Sequence, residues 1–97
     1  MDPEEYVEAV LSLVERIPRG RVTNYGTIAE HVGHGGPRLV GRVMSNFGGP
    51  VPWWRVVRAD GSLPPSTADE ARQRHLEEDT PMRESGRVNL RAAYWQP

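Results

Sequence analysis

The chain has 97 residues, 37% of them apolar and 26% charged, with a formal net charge of −1, enough for one modest core and too little for two domains. It contains no cysteine, which excludes disulfides, thiolate metal sites and cysteine nucleophiles together. No run of about 18 apolar residues is available to cross a membrane, and the acidic, amphipathic start "MDPEEYVEAV" reverses the order of a signal peptide, so a cytoplasmic protein is expected.

In chain order, "DPEEYVEAVLSLVERI" predicts a helix with Asp2 as N-cap, Pro3 at the first position and Glu5 closing a capping box. Its apolar residues 6, 10, 13, 14 and 17 follow helical spacing, and Pro18 and Gly20 end it. "TNYGTIAEHVG" predicts a second helix capped by Thr23, with Tyr25, Ile28, Ala29 and Val32 on one face and Gly33 as the stop. "PRLVGRVMSNFGG" predicts a third, opened by Pro37, with Leu39, Val40, Val43, Met44 and Phe47 as its apolar stripe and Gly48-Gly49 as its end. The tight "GHGG" turn between these two makes a helix-turn-helix. "VPWWRVV" then reads as an extended stretch ending at the turn "ADG". A further helix is capped at Thr67 to Glu70 and runs to about Glu78. "GRVNL" reads as a short strand, and "AAYWQP" closes the chain. The expected fold is therefore a small single α/β domain over residues 1–97. It is mostly helical and winged-helix-like, with a helix-turn-helix and short C-terminal strand elements whose second paired helix would enter a DNA groove.

Charge is segregated along the chain. Residues 1 to 15 carry five acids and no basic residue; residues 16 to 58 carry seven arginines against the single Glu30, a local charge of about +6; residues 60 to 84 carry seven acids. Such a basic stretch in a nearly neutral chain points to a polyanion-binding face, unless folding pairs its arginines with the flanking acids. Arg38, Arg42, Ser45 and Asn46 fall off the apolar stripe of the third helix, where they would face DNA.

No catalytic constellation stands out. His31, His34 and His75 are scattered without metal-ligand spacing, so neither a metal nor a cofactor is expected. "GHGGPRLVG" follows a helix rather than the strand a phosphate loop requires. What remains is arginine on a recognition helix with Tyr25, Trp53 and Trp54 at its margins, a mixture suited to gripping nucleic acid and stacking a base.

Those residues also carry a resemblance. "IPRGRVTNYGTIAEHVG", "PRLVGRVMSN" and "VPWWRVVRADGSL" together resemble the DNA-binding domain of the O6-alkylguanine-DNA alkyltransferases, over about residues 6 to 79. Those proteins flip an alkylated guanine from the duplex and move its alkyl group to the cysteine of a Pro-Cys-His-Arg-Val motif. Here "PWWRV" stands in that place with Trp53 at the cysteine, the mark of the alkyltransferase-like proteins, which bind such lesions without repairing them. The chemistry agrees: alkyl transfer needs a soft, deprotonatable sulfur, and an indole offers only apolar area and a stacking face.

The resemblance implies a lesion pocket of Tyr25, Pro52, Trp53, Trp54, Arg55 and Val56. It implies DNA contacts from Thr23, Tyr25, Gly26, Arg38, Arg42, Ser45 and Asn46. Arg38 would fill the gap left by the flipped base, Tyr25 would help rotate the nucleotide, Asn46 would brace the pocket loop, and Asp79 falls near the family's usual glutamate. Trp54 departs from the family pattern, which keeps histidine there. Alternation along an extended stretch would put Trp53 in the pocket wall and Trp54 beneath the loop. The expected function is non-catalytic recognition of O6-alkylguanine in double-stranded DNA by nucleotide flipping, by a monomer that flags lesions for nucleotide excision repair proteins. The alternatives are a winged-helix transcription regulator, in which the tryptophans are core, and a true alkyltransferase, which the absent cysteine opposes.

Overall fold

The computed structural model describes all of residues 1–97 and opens with helix α1 (Pro3–Glu15). Asp2 caps it: the Glu5 amide donates to the Asp2 carboxylate at 2.9 Å, and Pro3 sits where a missing N–H costs nothing. Helices α2 (Tyr25–Val32) and α3 (Pro37–Phe47) form the expected helix-turn-helix, with Gly33 ending α2 at φ 76°. The α2 cap is Asn24, not Thr23; the Asn24 side chain accepts from the Thr27 amide at 2.8 Å. Thr23 is otherwise engaged. It lies fully buried in strand β1 (Thr23–Asn24), which pairs in parallel with β2 (Val56–Val57), Thr23 opposite Val56.

That two-residue pairing joins two small cores. The larger gathers Tyr6, Val10, Leu13, Val14 and Ile17 around α1 with Ile28, Ala29, Val40, Val43, Val51 and Val56. The smaller gathers Val22, Val57, Leu63, Ala71, Val88 and Ala93. Because successive strand side chains point to opposite faces, Val56 enters one core and its neighbour Val57 the other. Phe47, expected on the apolar stripe of α3, is instead 51% exposed.

The C-terminal half departs from expectation in its strands. Thr67 ends a short 3₁₀ turn (Pro65–Thr67) and makes no side-chain cap for α4 (Ala68–Glu77). "GRVNL" forms no strand. Val88 makes a single antiparallel bridge to Met82 and donates its amide to the Gly61 carbonyl at 2.9 Å, while Asn89 turns away to the Pro81 carbonyl. With no continuous partner edge, the chain coils into the one-turn helix α5 (Leu90–Ala93). Its end is stitched beside β1, the Trp95 amide donating to Val22 O at 2.7 Å and the Val22 amide to Ala93 O at 3.0 Å. The sheet is thus central and parallel rather than a C-terminal wing. No helix is long and apolar enough to cross a membrane.

Candidate nucleic-acid interface

Helix α3 turns Val40 and Val43 inward and leaves Arg38, Arg42, Ser45 and Asn46 exposed. Spacings of four and three to four residues put those four side chains on one solvent strip. The ion pairs of the molecule are Arg55–Glu78, Arg72–Asp69 and Arg87–Asp60. Of the mid-chain arginines only Arg55 is therefore neutralised by a flanking acid. Arg19 and Arg21 donate to the backbone carbonyls of Glu77 and Ala92 and keep their charge. Segregation of charge in the sequence thus survives folding as a basic strip.

Beside that strip, at the seam between the two cores, lies a cavity of about 350 Å³, at the small end of the roughly 300–1,000 Å³ range of ligand pockets. Tyr25 and the α3 residues Gly41, Met44 and Ser45 form one wall, and Trp53, Trp54, Val56, Leu63, Pro64 and Ala71 form the other. Gly48 closes the α3 end, where a Cβ would collide with the Met44 carbonyl oxygen, so only glycine fits. Burial pushes the Tyr25 phenol up from its ordinary pKa, with the nearby Arg58 charge partly opposing, so it stays neutral.

Both tryptophans reach the cavity, which corrects the expected alternation. Trp53–Arg55 is a 3₁₀ turn rather than an extended stretch, so consecutive side chains do not oppose each other. The two indoles meet edge to face, centroids 5.7 Å apart and planes at 87°. They are half-buried, packed on one side against the smaller core and open on the other to the cavity. Part of each indole is thus left free for a ligand, where the regulator alternative has both as core.

Trp54 is tied down from three directions. Its indole N–H donates to Glu78 Oε1 at 2.9 Å, its carbonyl accepts from His75 Nε2 at 2.8 Å, and the Arg74 guanidinium lies 4.8 Å over its ring. Since a carbonyl only accepts, His75 carries its proton on Nε2, and Nδ1 accepts from the Thr80 hydroxyl at 2.9 Å. Glu78 binds Arg55 through both oxygens (Nε at 3.2 and 3.1 Å, Nη2 at 2.5 Å) and accepts the Gly20 amide at 3.2 Å. Arg55 also donates to the Ile17 carbonyl at 2.8 Å, reaching across to α1. Burial alone would push the Glu78 carboxyl up; the Arg55 guanidinium, Gly20 amide and Trp54 indole outweigh it and hold the pKa below the ordinary value.

The structure thus brings Tyr25, Ser45, Trp53, Trp54 and Val56 to one cavity. Pro52 and Arg55 do not line it; Arg55 acts behind the turn, through Glu78. Thr23 is fully buried and presents nothing to solvent, while Gly26 is half-buried at the start of α2. Asn46 is exposed and makes no hydrogen bond to the tryptophan turn; it lines a cleft toward α1 instead. The carboxylate at the end of α4 is Glu78 rather than Asp79, whose φ of 57° takes it out of the helix. Sequence reading missed Met44, Leu63 and Pro64 as cavity walls, and His75 as a brace. Ala71, His75 and Glu78 recur at helical spacing, which is the signal that α4 turns this row inward.

A helix-turn-helix carrying an unneutralised arginine strip beside an aromatic-walled cavity defines a DNA-binding domain with room for a base-like ligand. The 6-O-methylguanine DNA methyltransferase, DNA binding domain, matches residues 5–80, and the chain belongs to that family. It is 32% identical over 99 residues to a DNA base-flipping protein of Vibrio parahaemolyticus, covering 97% of this chain and 99% of the relative. It is 34% identical over 109 residues to alkyltransferase-like protein 1 of Schizosaccharomyces pombe, covering 100% of both. The crystal structure of S. pombe Atl1 in complex with damaged DNA containing O6-carboxymethylguanine superposes with a TM-score of 0.89 at 29% identity, covering 100% of both chains.

Proposed function

We propose that this chain recognises O6-alkylguanine in duplex DNA by rotating the nucleotide into the cavity between α3 and the tryptophan turn, without alkyl transfer. The observation that carries this is the cavity itself, walled by Trp53, Trp54, Tyr25 and Met44 directly beside the exposed Arg38–Arg42 strip. Stacking on aromatic walls contributes about 1–3 kcal/mol per base, comparable with the few kcal/mol that extrusion costs. Arg38, at the start of α3, would occupy the vacated space in the stack, and Arg42 would hold phosphate. Transfer has no acceptor, since the chain holds no cysteine and the indole nitrogen of Trp54 is committed to Glu78. Hand-over of the marked site by a monomer to nucleotide excision repair rests on the family resemblance alone.

The test uses a duplex with a radiolabelled methyl on guanine O6 and a fluorescent purine beside it. Adding the protein should raise the fluorescence through unstacking, while the label stays on the DNA. An unchanged signal at saturating protein contradicts flipping, and label on the protein contradicts the non-catalytic reading.

A further inference from the structure

Helix α1 has a second apolar edge, packed against the larger core on one side and open to solvent on the other. Its buried stripe is Tyr6, Val10, Leu13 and Val14, whereas Val7 and Leu11 lie off that stripe and are only half-buried. With Pro3, Phe47, Pro50 and Val51 they floor a groove of about 610 Å³ between α1 and the end of α3. A phenylalanine 51% exposed in such a place contributes to an apolar patch rather than to folding. The groove shares no residue with the tryptophan-walled cavity.

Its rim is acidic. Glu4, Glu8 and Glu15 line it, all three exposed and none in an ion pair. Residues 1 to 15 include no basic side chain that could neutralise them locally. A rim of this sign repels a phosphate backbone, so the groove does not extend the DNA surface. Pro3, Val7 and Leu11 recur every four residues, giving a straight apolar row with carboxylates alongside, the complement of a helix whose apolar face is flanked by cations.

We propose that this groove docks a short amphipathic helix of another protein, apolar on one side and flanked by lysine or arginine, while the arginine strip of α3 stays free for DNA. Phe47, Leu11 and Val7 would receive the apolar side chains, and Glu4, Glu8 and Glu15 would meet the cations. This surface stands independently of the lesion pocket, because it neither lines that pocket nor shares its charge.

The probe is a fluorescein-labelled helical peptide of about 16 residues, leucines on one face and lysines flanking them, with a glutamate-flanked twin and a scrambled peptide of the lysine form. Anisotropy titration of the full chain should show the lysine peptide bound, with affinity falling between about 50 and about 500 mM salt as the charges are screened. The twin and the scramble should bind at least about tenfold more weakly. Phe47→Ser, at an exposed position that leaves the fold alone, and the rim variant Glu8→Gln/Glu15→Gln should each weaken the peptide by about tenfold. Both should hold a lesion duplex as the parent does. Equal binding of all three peptides, or full binding by Phe47→Ser, overturns the proposal. So does a dimer in sedimentation equilibrium that Phe47→Ser dissolves, since a second copy then fills the groove. Loss of duplex binding in the rim variant overturns the assignment of this face to a protein partner.

Discussion

Replacing Glu78 with alanine should destabilise the whole domain and loosen the cavity wall together. The carboxylate is 4% exposed and receives the Arg55 guanidinium, itself 15% exposed, together with the Trp54 indole and the Gly20 amide. Alanine leaves a nearly buried guanidinium without its counter-charge, which costs about 3–5 kcal/mol; the orphaned indole N–H adds to that figure rather than replacing it. Against a total stability of about 5–15 kcal/mol this is a large fraction. At about 4–8 °C per kcal/mol for a domain of this size, the melting temperature should fall by roughly 12–40 °C. Thermal unfolding followed by tryptophan fluorescence reads it directly, because Trp54 sits in the perturbed network. Removing both partners, as Arg55→Met with Glu78→Leu, should recover part of the loss, since no charge is then stranded. A Glu78→Ala variant melting within about 5 °C of the parent would refute the reasoning, as would a double variant less stable than the single one.

Other outcomes follow from the same geometry. Arg38→Ala should weaken lesion binding by about tenfold or more, through loss of the group that offsets unstacking, and leave weak binding to unmodified duplex nearly intact. Arg42→Ala should weaken both duplexes alike and lower the salt slope by about one unit; titrations at several salt concentrations separate the two. For pH, burial lowers the His75 pKa despite the opposing Trp54 carbonyl, so the folded state stays neutral where the unfolded chain takes up a proton. His75-linked stability should therefore be complete above about pH 6.5 and decline below it by up to about 1.4 kcal/mol per unit, until the folded pKa is reached. Glu78, with its folded pKa lowered, should add a second loss only as pH falls below roughly 4.3 and on through that folded value. Urea midpoints measured between about pH 8 and about pH 5 should show the first decline in the parent and a flat line in His75→Gln; an equally sloped variant would assign the decline elsewhere.

What the sequence disclosed and what it hid divide along physical lines. Helix α1 and the α2–α3 pair were legible because their signals are local: the Asp2-Pro3 start, the 3.6-residue apolar spacing, and Gly33 and Gly48 at the ends. The basic strip was legible because like charges on one exposed helix face have no local partner. The tryptophan turn misled, since Pro52 and the hydrogen bond from the Arg55 amide to the Pro52 carbonyl at 3.1 Å coil it into a 3₁₀ turn where alternation was expected. The brace behind it was hidden for another reason. Arg55 and Glu78 are 23 residues apart, so the helical spacing that sets Glu78 on one row with Ala71 and His75 does not say which cation it meets. Thr23 carried a cap signal as good as that of Asn24, and the parallel pairing with Val56 decided between them. Val88 had strand character but no partner edge long enough to use it.

The central claim is that the cavity selects a chemical lesion rather than a sequence. Two duplexes identical except for one O6-methylguanine in place of guanine, prepared in each of two unrelated sequence contexts, test it most directly by equilibrium titration. Tighter binding of the lesion duplex in both contexts is the predicted result. Equal affinity for lesion and control, with a preference for one of the sequences, would contradict it.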